Sequence, residues 1–232
     1  MSALLLARDR LITLGLILTM VVSMSACSES WKEEVMLHDG NKIIVKRSQS
    51  FGGSRELGQG APIKEQEISF TVPGNDKEIT FKNEFSEDVG RANFTLLALH
   101  ILNGTAYIVV EPLGCMSYNK WGRPNPPYVI FKHDGNTWQR VTMQELPLEF
   151  KDINLVINTK SHADELVASS IVSAERVRKL NSSLTQPEFK TILKENIENA
   201  GGERCGEMVF YKGMWVGVGD SIGKRMMDRK TK

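Results

Sequence analysis

Through the first two thirds of this chain, apolar and polar positions follow one another in short runs broken by glycine turns. Val35 to Leu37 and Ile43 to Lys46 flank His38-Asp39-Gly40-Asn41, and Glu67 to Val72 and Lys77 to Lys82 flank Pro73-Gly74-Asn75-Asp76. Leu96 to Leu102 and Thr105 to Val110 flank Asn103-Gly104. Tyr128 to Lys132 and Thr137 to Thr142 flank a second copy of the first turn, His133-Asp134-Gly135-Asn136. Asp-Gly and Asn-Gly supply the left-handed backbone that a tight hairpin requires, so four hairpins are predicted. Glu67 to Val72 alternates strictly, as for a strand with one buried and one wet face. Tyr107-Ile108-Val109-Val110 is apolar throughout, as for a central strand covered on both sides. The polar stretch from Ser48 to Gln66 reads as a flexible loop. The turn glycines recur at intervals of 30 to 34 residues. Beyond the turns the segments share little, which favours a meander or sandwich over propeller blades.

After Leu155 to Ile157 the period changes. Ser161 to Asp164 has the form of a capping box, and Val167, Ile171, Ala174 and Val177 then recur at helical spacing. A second helix is predicted after Thr185, with Pro187 and Glu188 in its first turn and Phe189, Ile192, Leu193 and Ile197 as its apolar stripe; Gly201-Gly202 would stop it. Met208 to Tyr211 and Met214 to Val218 form a last hairpin around Lys212-Gly213. The expected fold class is α+β: mainly antiparallel β hairpins in a meander or sandwich, with an inserted α-hairpin. Residues 31–232 read as one domain, with 31–150 mostly β, 161–200 holding two helices and 206–220 the final hairpin.

The N-terminus follows a different grammar. Arg8 and Arg10 precede an apolar run from Leu11 to Val22, 12 residues long and short of the ~20 that a spanning helix needs. The small pair Ser25 and Ala26 follows, then Cys27, the arrangement of a secretory signal peptide. Met24-Ser25-Ala26-Cys27 resembles the lipobox of bacterial lipoproteins. The resemblance covers four residues, and Met24 stands where the family prefers Leu. It implies acylation of Cys27 with chains such as palmitate, and cleavage of residues 1–26. Ser28 stands where an Asp would signal retention at the inner membrane, so the resemblance implies an anchor in the outer membrane, facing the periplasm. Ordinary secretion with cleavage after Ala26 and an uncleaved anchor are the alternatives. Residues 27–30 are expected to be a short tether holding the domain close to the bilayer. Beyond Cys27 the sequence resembles no characterised family.

Removing 26 of 232 residues leaves 206, enough for one ordinary core. The chain has 29 basic and 28 acidic side chains. The leader takes Arg8, Asp9 and Arg10, so the mature charge is balanced and gives no warrant for nucleic-acid binding. Only the tail is uneven: Lys224, Arg225, Arg229, Lys230 and Lys232 face a single Asp228. A frayed, solvated terminus is expected there, with contact to anionic head groups as the functional alternative. With Cys27 assigned to lipid, Cys115 and Cys205 remain, an even remainder that reads as a disulfide in an oxidising compartment. A redox or metal pair is the weaker alternative, since neither lies in a Cys-x-x-Cys or beside a histidine at ligand spacing.

Catalytic chemistry is sparse. His38 and His133 occupy matching turns, where an exposed spacer role is expected and a shared site is the sharper alternative. His100 lies in an apolar strand and His162 at a helix start, neither placed as a general base. Gly219-Asp220-Ser221 resembles the nucleophile block of one esterase class, but it comes almost last and no histidine follows it. No Gly-x-Ser-x-Gly, dinucleotide loop or phosphate cradle is present. Asp134-Gly135-Asn136-Thr137-Trp138 resembles a single degenerate Asp-box turn of sialidase blades, a structural feature in that family. No catalytic residue, metal or cofactor is assigned. The segment Lys120 to Tyr128 carries Trp121, Arg123 and Tyr128 among prolines, the composition of a preorganised contact surface for an envelope protein or glycan partner. The alternative is that Trp121 and Tyr128 fold back to cap the core. The expected function is a non-enzymatic, membrane-apposed binding or assembly module. A periplasmic hydrolase with a site assembled from distant residues, and a lipoprotein inhibitor or immunity protein, are the other readings.

Overall fold

The structure, a computed structural model, describes residues 28–198 except 56 and 76, and residues 205–230. The leader and Cys27 lie outside the described residues, as do Gly201-Gly202 and Lys232. Four antiparallel strands, β1 (Ser28–Met36), β2 (Lys42–Phe51), β3 (Ile63–Thr71) and β4 (Glu78–Asn83), form a first sheet in sequence order. After a two-residue ladder of β5 (Phe85–Ser86) and β6 (Arg91–Ala92), a second sheet follows. It comprises β7 (Phe94–Leu102), β8 (Thr105–Pro112), β9 (Val129–His133) and β10 (Trp138–Val141). The short helix α1 (Gly114–Lys120) separates β8 from β9. The sheets pack face to face as a sandwich, and all four hairpins read from the turns are present. The fold is α+β with mainly antiparallel sheets.

Three apolar clusters hold it together, the smallest gathering Trp31, Val156, Leu166, Val172, Val177 and Leu180. Val35, Val45, Ile68, Phe70, Ile79 and Phe81 of the first sheet meet Leu96, Leu99, Ile101, Ile108 and Val110 of the second. The far face of the second sheet buries Leu97, Tyr107, Val109 and Ile130 under Leu146, Phe150 and Ile192. Strand β8 is thus covered on both sides, which explains its unbroken apolar run. A bulge between Leu96 and Ala98 of β7 resets the alternation: Leu96 and Leu99 face the sandwich interior, Leu97 and Ala98 the opposite side.

Strands β1, β2 and β3 run further than hydrophobic alternation shows. Ser48, Gln49 and Ser50 pair with Glu67, Gln66 and Glu65, so both ends of the expected loop are ladder and the real connection is 52–62. Residues 28–30 of the expected tether are likewise strand, because Ser28 already pairs with Ser50. The signal was missed because the inner face of this end is polar: Arg47, Gln49, Gln66 and Asn83 are all buried. Gln49, Gln66 and Asn83 are bonded in a chain through Thr159. Gln49 donates to Glu29 (2.7 Å) and accepts from Thr159 (2.7 Å). Asn83 donates to Gln66 (3.3 Å) and to the Phe94 carbonyl (2.6 Å).

One side of the sandwich is closed by a strap, Asn154 to Val156. Asn154 Nδ2 donates to the Met36 and Leu99 carbonyls (2.9 and 2.8 Å), joining the two sheets. Leu155 N donates to Leu97 O, Val156 N to Glu33 and Ile157 N to Asn181. Arg47 donates to the Val156 carbonyl (2.9 Å) and to Glu33 (2.8 Å), and Glu33 also accepts from the Trp31 indole (2.7 Å). Glu33 and Arg47 are essentially inaccessible, at 0% and 2% exposure. The N–H groups of Leu155, Val156 and Ile157 thus all have partners, as burial demands.

The helices are shorter than their apolar spacing predicts. Instead of one long helix, α2 (Ala163–Ala168) and α3 (Ala174–Asn181) are separated by an extended turn. Val172 there exchanges backbone hydrogen bonds with Lys32 and Glu34 on the edge of β1. The expected Ser161 capping box does not form; Ser173 caps α3 by accepting from Arg176 N. After Thr185 a single 3₁₀ turn (Pro187–Phe189) replaces the second helix. Ile192 N donates to Lys151 O and Thr191 bridges Asp152, so backbone pairing wins over helix while Ile192 still reaches the core. The last hairpin, β11 (Met208–Tyr211) with β12 (Met214–Gly217), is as expected. The tail is not frayed: Ser221–Lys230 forms helix α4, with the Asp220 side chain accepting from Gly223 N.

Arg47→Met should cost roughly 3–5 kcal/mol, because it strands the Glu33 carboxylate in the interior. The double variant Glu33→Leu/Arg47→Met should be less destabilised than that single change. Urea unfolding midpoints compare the two.

Candidate binding cleft

Opposite the strap, the sandwich stays open. Strand β4 ends the first sheet and β10 ends the second, with no further strand on either edge among the described residues. Between them lies a cleft of about 440 Å³ walled by Phe81, Phe94, Trp121, Phe131 and Trp138. These rings pack on one another: Phe94 lies 4.6 Å from Trp121, Phe81 5.2 Å from Phe131 and 5.3 Å from Trp138. The Trp138 indole N–H donates to the Thr80 carbonyl on the outward side of β4 (2.8 Å). The Trp121 indole N–H donates to Asn93 Oδ1 (3.3 Å), and the Arg140 guanidinium lies over the Trp121 ring, 5.5 Å from its centroid.

Lys82, Asn83 and Glu84 at the end of β4 are shared with a second recess of about 550 Å³ on the outer face of the first sheet, where Ser48, Ser50, Glu65 and Glu67 stand. Aromatic and polar hollows therefore adjoin around one strand end. Lys82 is exposed and reaches Glu67 at 3.7 Å.

The sequence-singled residues divide. Trp121 is half-buried and forms a wall of the cleft. Tyr128 is 5% exposed; its hydroxyl donates to the Glu188 carbonyl (2.8 Å), and burial pushes its pKa up, so it offers no ring to a partner. The Arg123 side chain reaches inward over Tyr118 and donates to Asn119 and the Cys205 and Gly206 carbonyls. The loop does not protrude. Cys115 and Cys205 form a disulfide with Cα atoms 5.1 Å apart, fastening β11 to α1. Closing a loop this long is worth ~4–5 kcal/mol in the chain-entropy model. Asn119, which bonds Gly206 O and Met208 N, supports the same junction.

The four histidines do not meet as a catalytic set. His38 packs edge-on to Phe150 and His133 edge-on to Trp138, on opposite sides of the second sheet, so no shared site forms. His133 is 8% exposed, not an exposed spacer, and burial lowers its pKa. Asp134 folds its carboxylate onto the Thr137 and Asn136 N–H groups, which hold it below the usual carboxylate range. That turn is structural. His100 stacks on Phe150, and its Nε2 donates to the Asp152 carbonyl (2.9 Å); burial drives its pKa down to about 4. Among the described residues no group of three or more histidines, cysteines or carboxylates could hold a metal ion.

Sequence reasoning missed Phe81, Phe94, Phe131 and Trp138 as site residues. Each is the one phenylalanine or tryptophan of its strand, but only the stacking of the two sheets brings them together. Comparison with protein-family models, with curated proteins and with solved structures gave no match to this chain.

His100 makes stability depend on pH. Its imidazole is neutral in the fold down to pH about 4, while the unfolded chain binds a proton from about pH 6.5. Stability from this group is therefore full above pH 6.5 and falls by roughly 3 kcal/mol as pH drops to 4. In His100→Gln the decline between pH 7 and pH 4, read by urea unfolding, should be smaller.

Proposed function

We propose that this protein is an envelope lipoprotein, held to the membrane by acylated Cys27, whose folded domain binds a partner without catalysing a reaction. The observation that carries the binding reading is the aromatic cleft along the open edge of β4. An outer strand next to apolar hollows suits an extended polypeptide, which adds its backbone to the edge and lays alternate side chains against the rings. A glycan is the less favoured occupant. Sugars stack on free ring faces, and the faces of Trp121 are taken by Phe94 and Arg140. Of the three residues expected to contact a partner, this reading keeps Trp121 as one wall of the cleft and drops Arg123 and Tyr128, whose side chains bond elsewhere in the fold.

The anchor reading rests on the leader and on the start of β1. With Ser28 already in the sheet, an acyl chain on the preceding residue leaves the domain no spacer, so its partner must be met at the bilayer surface. No described helix is long and apolar enough to cross a membrane.

Two measurements test this. Intact mass of the protein extracted from cells should show loss of residues 1–26 and added acyl chains on Cys27. A photo-crosslinking side chain at Lys82 should give a discrete adduct in cells, lost when Trp138→Ala is added, whereas the same probe at exposed Leu148 across the second sheet should give none. Equal labelling at both positions overturns the cleft as the binding site.

A further inference from the structure

Six of the eleven large apolar residues exposed among the described residues belong to the last hairpin and helix: Val209, Phe210, Met214, Val218, Ile222 and Met226. A two-stranded ribbon with a ten-residue helix is too small to bury its own faces, and α4 is turned the wrong way round for a soluble unit. Its polar side faces the hairpin, where Asp228 accepts from the Tyr211 hydroxyl (2.8 Å) and pairs with Lys212 (2.7 Å). Lys224 reaches the Val218 carbonyl from the same helix. Ile222 and Met226, one turn apart, are instead 65% and 58% exposed. The segment from Ser221 onward carries five basic residues and one acid, and that acid is already neutralised by Lys212.

This unit sits at the end of the sandwich where the chain enters. The row Glu29, Gln49, Gln66, Asn83 crosses the first sheet in three strand spacings, about 14 Å. Asn83 bonds Asn93 and Phe94; Ser117 of α1 donates to Asn93 O, and Asn119 of α1 bonds Gly206 and Met208. Hydrogen bonds therefore connect the first turn of β1 to the foot of β11, and the disulfide locks the same joint.

We propose that β11, β12 and α4 form a bilayer-docking surface that inserts Ile222, Met226 and neighbouring apolar side chains into the interface of an anionic leaflet. Exposed apolar residues beside an excess of cations are the combination an acidic lipid surface takes up. Together with an acyl chain on Cys27 the surface supplies the second of the two signals that stable anchoring requires. The choice of which end faces the membrane rests on the Cys27 reading; the surface itself does not.

The chain from Ser28 to Lys232, which contains every described contact, separates the two. It carries no lipid, so its binding reports the surface alone, while intact mass of the cellular protein reports acylation alone. It should float with vesicles of phosphatidylethanolamine and phosphatidylglycerol at 0.1 M salt and not with phosphatidylcholine vesicles. Ile222→Glu/Met226→Glu should abolish flotation, and Arg225→Glu, which leaves the apolar face intact, should weaken it about fivefold or more. Circular dichroism checks that both variants stay folded. No flotation, flotation indifferent to lipid charge, or flotation unchanged by the double variant overturns the proposal. So does a concentration-dependent dimer that the double variant disperses, since the apolar face would then belong to a second copy.

Discussion

The buried strap at Asn154 to Val156 is the constraint on which the rest depends. A chain segment that runs between two sheets must lose all its water, and each of its polar groups then needs a partner. Asn154 bridges the Met36 and Leu99 carbonyls, Glu33 and Arg47 serve Val156, and Asn181 serves Leu155 and Ile157. The Glu33–Arg47 pair contributes little as an ion pair once desolvation is counted. Its effect is positional. It holds the strap against β1, allows Leu155 to enter the core and closes one flank of the sandwich.

Closing one flank decides what the other can be. With the edges of β1 and β7 occupied by Val172 and by the strap, the unclosed flank is left to β4 and β10. Five aromatic rings line it in place of a further strand. A cleft at an unclosed sheet flank follows from the topology, and neither Trp121 nor Trp138 would make one alone.

Hairpin turns and the doubly covered strand β8 were legible because two-residue periodicity and Asn-Gly or Asp-Gly turns are local signals. Where the structure departs from that reading, non-local pairing is the cause. Gln49, Gln66 and Asn83 look like loop residues until the partners that satisfy them are known. Ile171 and Ile192 sit at helical spacing, yet the backbones of Val172 and Ile192 pair with β1 and with Lys151. Of the candidate site, Trp121 was visible, and so was the pairing of Cys115 with Cys205. Phe81 and Trp138 were hidden because they become neighbours only when the two sheets stack.

The hydrogen bond from the Trp138 indole to Thr80 has one more effect. An uncovered strand edge is where identical chains would stitch together into fibrils. A single indole blocks one carbonyl of β4, and the ammonium of Lys82 follows two residues on. The row of free edge groups is thereby interrupted, which hinders pairing of β4 with its copy in a second molecule.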